Sequence, residues 1–251
     1  MDNRAKKGVL LVQLGTPDSP TTPAVRKYLT EFLMDGRVMD ISYLGRTLLV
    51  KGLIVPKRAS KSAAVYATIW DEANGSPLMY YSLLQQKLLQ EELGEEYHVE
   101  LAMRYQNPSI ESALARMEGM LLDSIRVIPL FPQYASATSG SVIDKVMEIM
   151  RSWQYFPQVS FVNSFCEDEE MITTFAEHGQ RHAIEEYDHV LFSYHGLPVR
   201  QLGKVDPSGK RVCEGIGCAS CREETNSFCY VSQCYGTTRA IVNKLGLSAD
   251  K

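Results

Sequence analysis

Gly8-Val9-Leu10-Leu11-Val12-Gln13-Leu14-Gly15-Thr16-Pro17 is an apolar run closed by a turn, and a segment of helical period follows it from about residue 23 to 34. A short apolar run bounded by glycine and proline reads as a buried strand, here 8–14, and its exit into a helix makes a β–α unit. The alternation continues. Helices are expected at 59–71 and 80–94, a strand at 97–103, a helix at 109–120, a strand at 124–130, a helix at 139–152 and a strand at 158–164. A basic and apolar segment, 41–58, interrupts the series. Strands alternating with helices predict βαβ units around a parallel sheet. A second round begins near residue 155, with a helix at 168–185, a strand at 188–194 and a helix at 226–245. That round supplies two strands at most, where sheets commonly have about four to six, so it reads as unfinished.

With 251 residues, 45% of them hydrophobic, the chain can bury one large core or two modest ones. Twenty-six basic residues are dispersed among 30 acidic ones, for a net charge of −4, which argues against a nucleic-acid partner. Arg4, Lys6 and Lys7 precede only Val9–Val12 before Gln13, too short a run for a secretory leader, and a cytoplasmic protein is expected. No stretch approaches the roughly 18 uncharged apolar residues of a spanning helix. In a reducing compartment the six cysteines favour metal ligation or free thiols over disulfides.

The chemistry concentrates at strand ends. Val190-Leu191-Phe192-Ser193 leads into Tyr194-His195-Gly196-Leu197-Pro198, which sets a neutral imidazole where the predicted strand leaves the sheet. Ligands bind at that edge in open α/β sheets, and imidazole can take a proton or a divalent metal there. Gly196 would free the backbone and Pro198 fix it again. Phe131-Pro132-Gln133-Tyr134, with Ser136, Thr138 and Ser139, follows the strand 124–130 and reads as pocket lining or as a capped strand-to-helix loop. Arg104 and Tyr105 end the preceding strand, where a planar guanidinium suits a ligand carboxylate, a surface ion pair being the alternative. Leu14-Gly15-Thr16-Pro17 lacks a full glycine fingerprint and needs only turn chemistry, as do Asn74-Gly75-Ser76-Pro77 and Asn107-Pro108.

Residues 43–58 mix Leu48, Leu49, Leu53, Ile54 and Val55 with Arg46, Lys51, Lys57 and Arg58. Such a segment lines a pocket mouth or touches a membrane surface, or else packs as a helix on the sheet. Cys213-x4-Cys218-x2-Cys221-x7-Cys229-x4-Cys234 offers five thiols for a four-sulfur site, zinc or iron–sulfur, with one to spare. Buried free thiols are the alternative. His178 and His182 stand at i, i+4 on a predicted helix, a spacing that can chelate metal, but no glutamate sits between them as in a zinc protease motif and a solvated helix face is the better reading.

Taken in order, Val12-Gln13-Leu14-Gly15-Thr16-Pro17, Gly75-Ser76-Pro77-Leu78, Met103-Arg104-Tyr105, Pro129-Leu130-Phe131-Pro132-Gln133-Tyr134 and Ser193-Tyr194-His195-Gly196-Leu197-Pro198 resemble the ferrochelatases, from residue 8 to about 247. The resemblance implies insertion of ferrous iron into protoporphyrin IX, with His195 as the catalytic residue and contact to the Fe2+ substrate. It places Leu14, Arg104, Tyr105, Gln133 and Tyr134 in the porphyrin cleft and makes 43–58, with Leu53 and Ile54, its hydrophobic lip. The cysteine loop is similar to that of bacterial ferrochelatases with an internal [2Fe-2S] cluster, which assigns Cys213, Cys218, Cys221 and Cys229 as ligands and Cys234 as the alternate. The implied fold is α/β, with two Rossmann-like, chelatase-type domains, each a parallel four-stranded sheet flanked by helices. Residues 1–155 form the first, with its lip at 41–58, and 156–251 a truncated second carrying His195 and the cysteine loop. Porphyrin and ferrous iron are the expected partners of a monomer or homodimer, with peripheral membrane contact through 43–58. Family members continue into a segment holding a catalytic glutamate, so the chain as given is expected to turn over slowly or not at all. The rival readings are a non-catalytic iron–sulfur or zinc protein and a chelatase for another metal and tetrapyrrole.

Overall fold

Val9, Leu10, Leu11 and Val12 are all buried, so β1 (Lys7–Gly15) is covered on both faces. That is why the first strand is a continuous apolar run and not an alternating one. In the computed structural model, which describes residues 6–205 and 227–248, β1 lies inside a four-stranded parallel sheet of order β2-β1-β3-β4. β2 (Tyr97–Tyr105) pairs with it from Lys7↔Tyr97 to Gly15↔Tyr105, and β3 (Ser124–Pro129) from Lys7↔Ser124 to Val12↔Pro129. β4 (Gln158–Phe161) closes the far edge against β3.

The helices between these strands follow from sequence spacing. α1 (Thr22–Met34) has proline in its first turn, where the lost N–H costs nothing, and buries Val25 and Tyr28. α4 (Pro77–Leu93) sends Met79, Leu89 and Leu93 onto Val9, Leu11, Val99, Leu101 and Met103 of the sheet. α5 (Ile110–Gly119) buries Ile110, Ala113, Leu114 and Met117, an i, i+3, i+4, i+7 stripe, and α6 (Ser141–Met150) buries Val142, Val146 and Met150. Burying an aliphatic side chain contributes about 1.5–3 kcal/mol, so these stripes, more than helix propensity, hold the layers together.

The segment expected at 41–58 and the helix expected at 59–71 form one helical path: α2 (Tyr43–Leu49), a π turn (Val50–Ile54) and α3 (Val55–Ile69). Val50, Val55 and Ala59 pack with Leu29, Leu33, Met34 and Met39. Tyr43, Leu44, Leu48 and Leu53 remain exposed. One face of this path therefore packs on α1, not on the sheet as expected, and the other lies at the surface.

The described residues fall into two compact units. One runs up to Leu130 and adds Ser136–Asn163, and the other comprises Phe131–Ala135 with the described residues from Ser164 on. The first extends past the boundary expected at 155 because β4 pairs with β3. The second holds α7 (Glu169–Gln180), the short α8 (Val199–Leu202) and α9 (Tyr230–Leu245). Asp168 caps α7 by accepting from the Met171 N–H at 3.1 Å, and the helix ends at Gln180, short of the predicted 185, with Ala183 at φ 47° in the turn beyond. The strand expected at 188–194 does not form. Residues 190–194 run without a ladder, and Leu191 is 91% exposed. An apolar run becomes a strand only when a neighbour supplies hydrogen-bond partners, and among the described residues none does.

Candidate functional site

In the first unit the turn after β1 is shaped by a close approach. Gly15 has φ 117°, and a Cβ there would stand 2.1 Å from the Tyr105 carbonyl oxygen, so only glycine fits. The next residue, Thr16, is buried and donates its hydroxyl to Ser76 Oγ at 2.9 Å. Two turn motifs sixty residues apart in sequence thus share one buried hydrogen bond. Leu14 is half-buried at this strand end, and its N–H donates to Gln13 Oε1 at 2.9 Å.

Arg104 and Tyr105 are engaged by the protein itself. Arg104 Nη2 reaches Asp35 Oδ2 at 2.7 Å, and its Nε donates to Ser141 Oγ at 2.6 Å. The Tyr105 hydroxyl donates to the same carboxylate oxygen at 2.8 Å, and Ser141 Oγ at 2.5 Å. The Arg37 N–H donates to Oδ1 at 2.7 Å. Burial would raise the Asp35 pKa, but the donors from Ser141, Arg37, Arg104 and Tyr105 outweigh it and hold the carboxyl below its usual range. The guanidinium fork expected to grip a ligand carboxylate is taken up by Asp35 and Ser141. Tyr105, expected in a ligand cleft, is wholly buried, and burial drives its phenol pKa far upward. Asp35 and Ser141 were missed from sequence, because four positions from three elements meet only through the topology.

In the second unit, α9 organises the loop 131–135. Gln233, 3% exposed, accepts from the Tyr134 N–H at 2.6 Å and donates to the Ser227 carbonyl at 2.6 Å. Four residues on, Thr237 accepts from Gln133 Nε2 at 2.9 Å and donates to the Cys166 carbonyl at 2.6 Å. Both are buried on one face of α9, which their residue types alone do not announce. The Tyr134 side chain stays half-exposed.

His195 is exposed, and the Tyr194 hydroxyl beside it pairs with Thr238 Oγ1 at 2.9 Å. Gly196 has no positive φ, and a Cβ there would meet nothing within 4 Å, so the backbone freedom expected of it is not required. Alongside lies a cavity of about 400 Å³ lined mainly by apolar residues of α7, α9 and 190–194, with Gln133, Tyr194 and Thr237 among its polar groups. Cys213, Cys218 and Cys221 lie outside the described residues. Cys229, Cys234 and Cys166 are buried, and among the described residues no group of three or more metal-ligating side chains comes together. Burial pushes the Cys234 thiol up to about 11, against a hydrogen bond from Tyr230.

The ferrochelatase family profile matches residues 6–251, nearly the entire chain. The chain belongs to the ferrochelatase family. It is 39% identical to ferrochelatase 2 of Shewanella oneidensis over 99% of its own length and 70% of that protein's. It is 41% identical to the ferrochelatase of Pseudomonas fluorescens biotype C, covering 97% of the chain and 71% of the relative. The Legionella pneumophila (strain Paris) ferrochelatase is 40% identical over 96% and 71%. For a ferrochelatase, the parallel sheet flanked by helices is the expected architecture, and the Thr16–Ser76 contact joins two of the motifs that carry the resemblance.

Proposed function

We propose that this chain is a ferrochelatase, inserting ferrous iron into protoporphyrin IX with loss of two protons to give protohaem, the last step of haem biosynthesis. The observation that carries the reading is identity near 40% to several ferrochelatases over almost all of the chain. Metal insertion displaces two pyrrole protons and requires a planar macrocycle to pucker, so the site needs a proton acceptor and rigid apolar walls. His195 is the acceptor in this reading, or a passing ligand of the incoming iron. Its exposure leaves the imidazole accessible to a substrate. In this reading Leu14, Gln133 and Tyr134 contact the porphyrin, and Arg104 and Tyr105 act by fixing Asp35. The test is absorbance-monitored insertion of iron or zinc into protoporphyrin, for this chain beside a version extended to the relatives' length. Insertion in the extended form supports the reading, and silence in both removes it.

Two finer assignments accompany this one. Cys213, Cys218, Cys221 and Cys229 hold a [2Fe-2S] cluster, with Cys234 as the alternate. Four closely spaced thiolates are a soft donor set that suits iron–sulfur chemistry. Protein purified without oxygen should absorb in the visible and lose that absorbance in a Cys218→Ser variant. A colourless protein carrying zinc would overturn the assignment.

The lip, with Tyr43, Leu44, Leu48 and Leu53 exposed beside Lys51, Lys57 and Arg58, contacts an anionic membrane surface peripherally. No helix among the described residues is long and apolar enough to cross a membrane. Flotation with vesicles of mixed neutral and anionic lipid should retain the protein and release a Leu44→Glu, Leu48→Glu double variant. Equal flotation of both would remove the contact.

A further inference from the structure

The last turn of α7 carries a pair of imidazoles that the porphyrin chemistry does not use. His178 belongs to that turn, and His182 follows in the tight turn beyond it, with its own N–H bonded to the Gly179 carbonyl at 3.0 Å. Both rings are exposed. Their Nε2 atoms stand 3.4 Å apart, whereas the ring centres are 4.9 Å apart, so each ring points its Nε2 toward the other. That separation is within reach of a hydrogen bond, at the long end beside the roughly 2.7–3.2 Å of N–H···O bonds. It also matches the edge of a tetrahedron, since two nitrogens each about 2.1 Å from one tetrahedral ion lie about 3.4 Å apart.

The surroundings favour a cation. A helix C-terminus carries the negative end of the backbone dipole, and here two imidazoles converge on it. Exposed rings lose little solvation when they bind, and the backbone bond to Gly179 limits what must be ordered. Among the described residues no third histidine, cysteine or carboxylate joins them, so water would complete the coordination. Such a site exchanges its ion readily.

We propose that His178 and His182 chelate a divalent first-row transition ion through their Nε2 atoms, at the rim of the cavity that His178 helps to line. Imidazole nitrogen suits nickel, zinc, copper and iron, and within that set affinity follows the usual order in which ferrous iron is among the weaker. The site stands apart from the cysteine loop and from His195 in sequence, and it does not depend on the ferrochelatase reading.

Calorimetric titration of the whole chain with Ni2+ at neutral pH tests it. His178→Ala and His182→Ala should each weaken the same binding step at least about tenfold, while His189→Ala leaves it unchanged. His182→Gln should reproduce the loss. Circular dichroism should be the same for all variants, because the rings are exposed. A Ni2+ isotherm that survives in either alanine variant, or that falls equally in His189→Ala, would overturn the chelate. Insertion activity is not the readout, so failure here and failure of the proposed function are separate results.

Discussion

Replacing His195 by alanine is expected to slow metal insertion by about two to four orders of magnitude, the usual contribution of a positioned acid–base group. The comparison should be made in a version extended to the relatives' length, with visible absorbance and melting temperature recorded alongside. Both should stay unchanged, since the imidazole is exposed and the cysteines of the proposed cluster lie elsewhere in sequence. A fall in rate with the fold intact ties the residue to chemistry. Near-normal turnover would remove His195 from the mechanism.

The largest effect on stability is expected at Asp35. Its carboxylate is 8% exposed and takes donors from Arg104, Tyr105, Ser141 and the Arg37 backbone. Asp35→Ala strands the Arg104 guanidinium and should cost about 3–5 kcal/mol, which for a chain of this size lowers the melting temperature by roughly 10 °C. Asp35→Asn should lie between the two, keeping the shape and losing the charge. The pH dependence has a definite sign. A carboxyl held below its ordinary value in the fold stabilises the protein above the unfolded pKa of about 3.9, and that stability is lost as pH falls through the folded value. The gap between parent and Asp35→Asn should therefore be full at pH 7 and shrink below about pH 4. A gap independent of pH would mean that the carboxylate is not ionised in the fold.

How much was legible depends on what each residue asks of its neighbours. β1 declared itself because a strand buried on both faces reads as an unbroken apolar run, β3 through Ile125 and Val127 alternating about exposed Arg126, and α5 through the spacing of Ile110, Ala113, Leu114 and Met117. Val190–Ser193 carries the same apolar signature as β1 and yet forms no strand, since a run of residues cannot state whether a partner lies beside it. Arg104 was recognised as a special strand-end residue, but its use was not, because Asp35 is 69 positions away and Ser141 is 37. Tyr105 was placed one step too far outward. Gln133 and Tyr134 were singled out, while the residues that hold them, Gln233 and Thr237, look like ordinary polar positions in a helix until the helix is seen to be buried.

The sheet order also bears on synthesis. β1 leaves the ribosome before β2 and β3, yet it sits in the interior of the sheet, with Lys7 facing Tyr97 on one side and Ser124 on the other. Until Pro129 has emerged, Val9–Val12 cannot be flanked by both of its strands. The nascent chain thus carries this apolar run unsheltered until β3 has been made, an exposure to aggregation that parallel sheets share and that makes early chaperone capture advantageous.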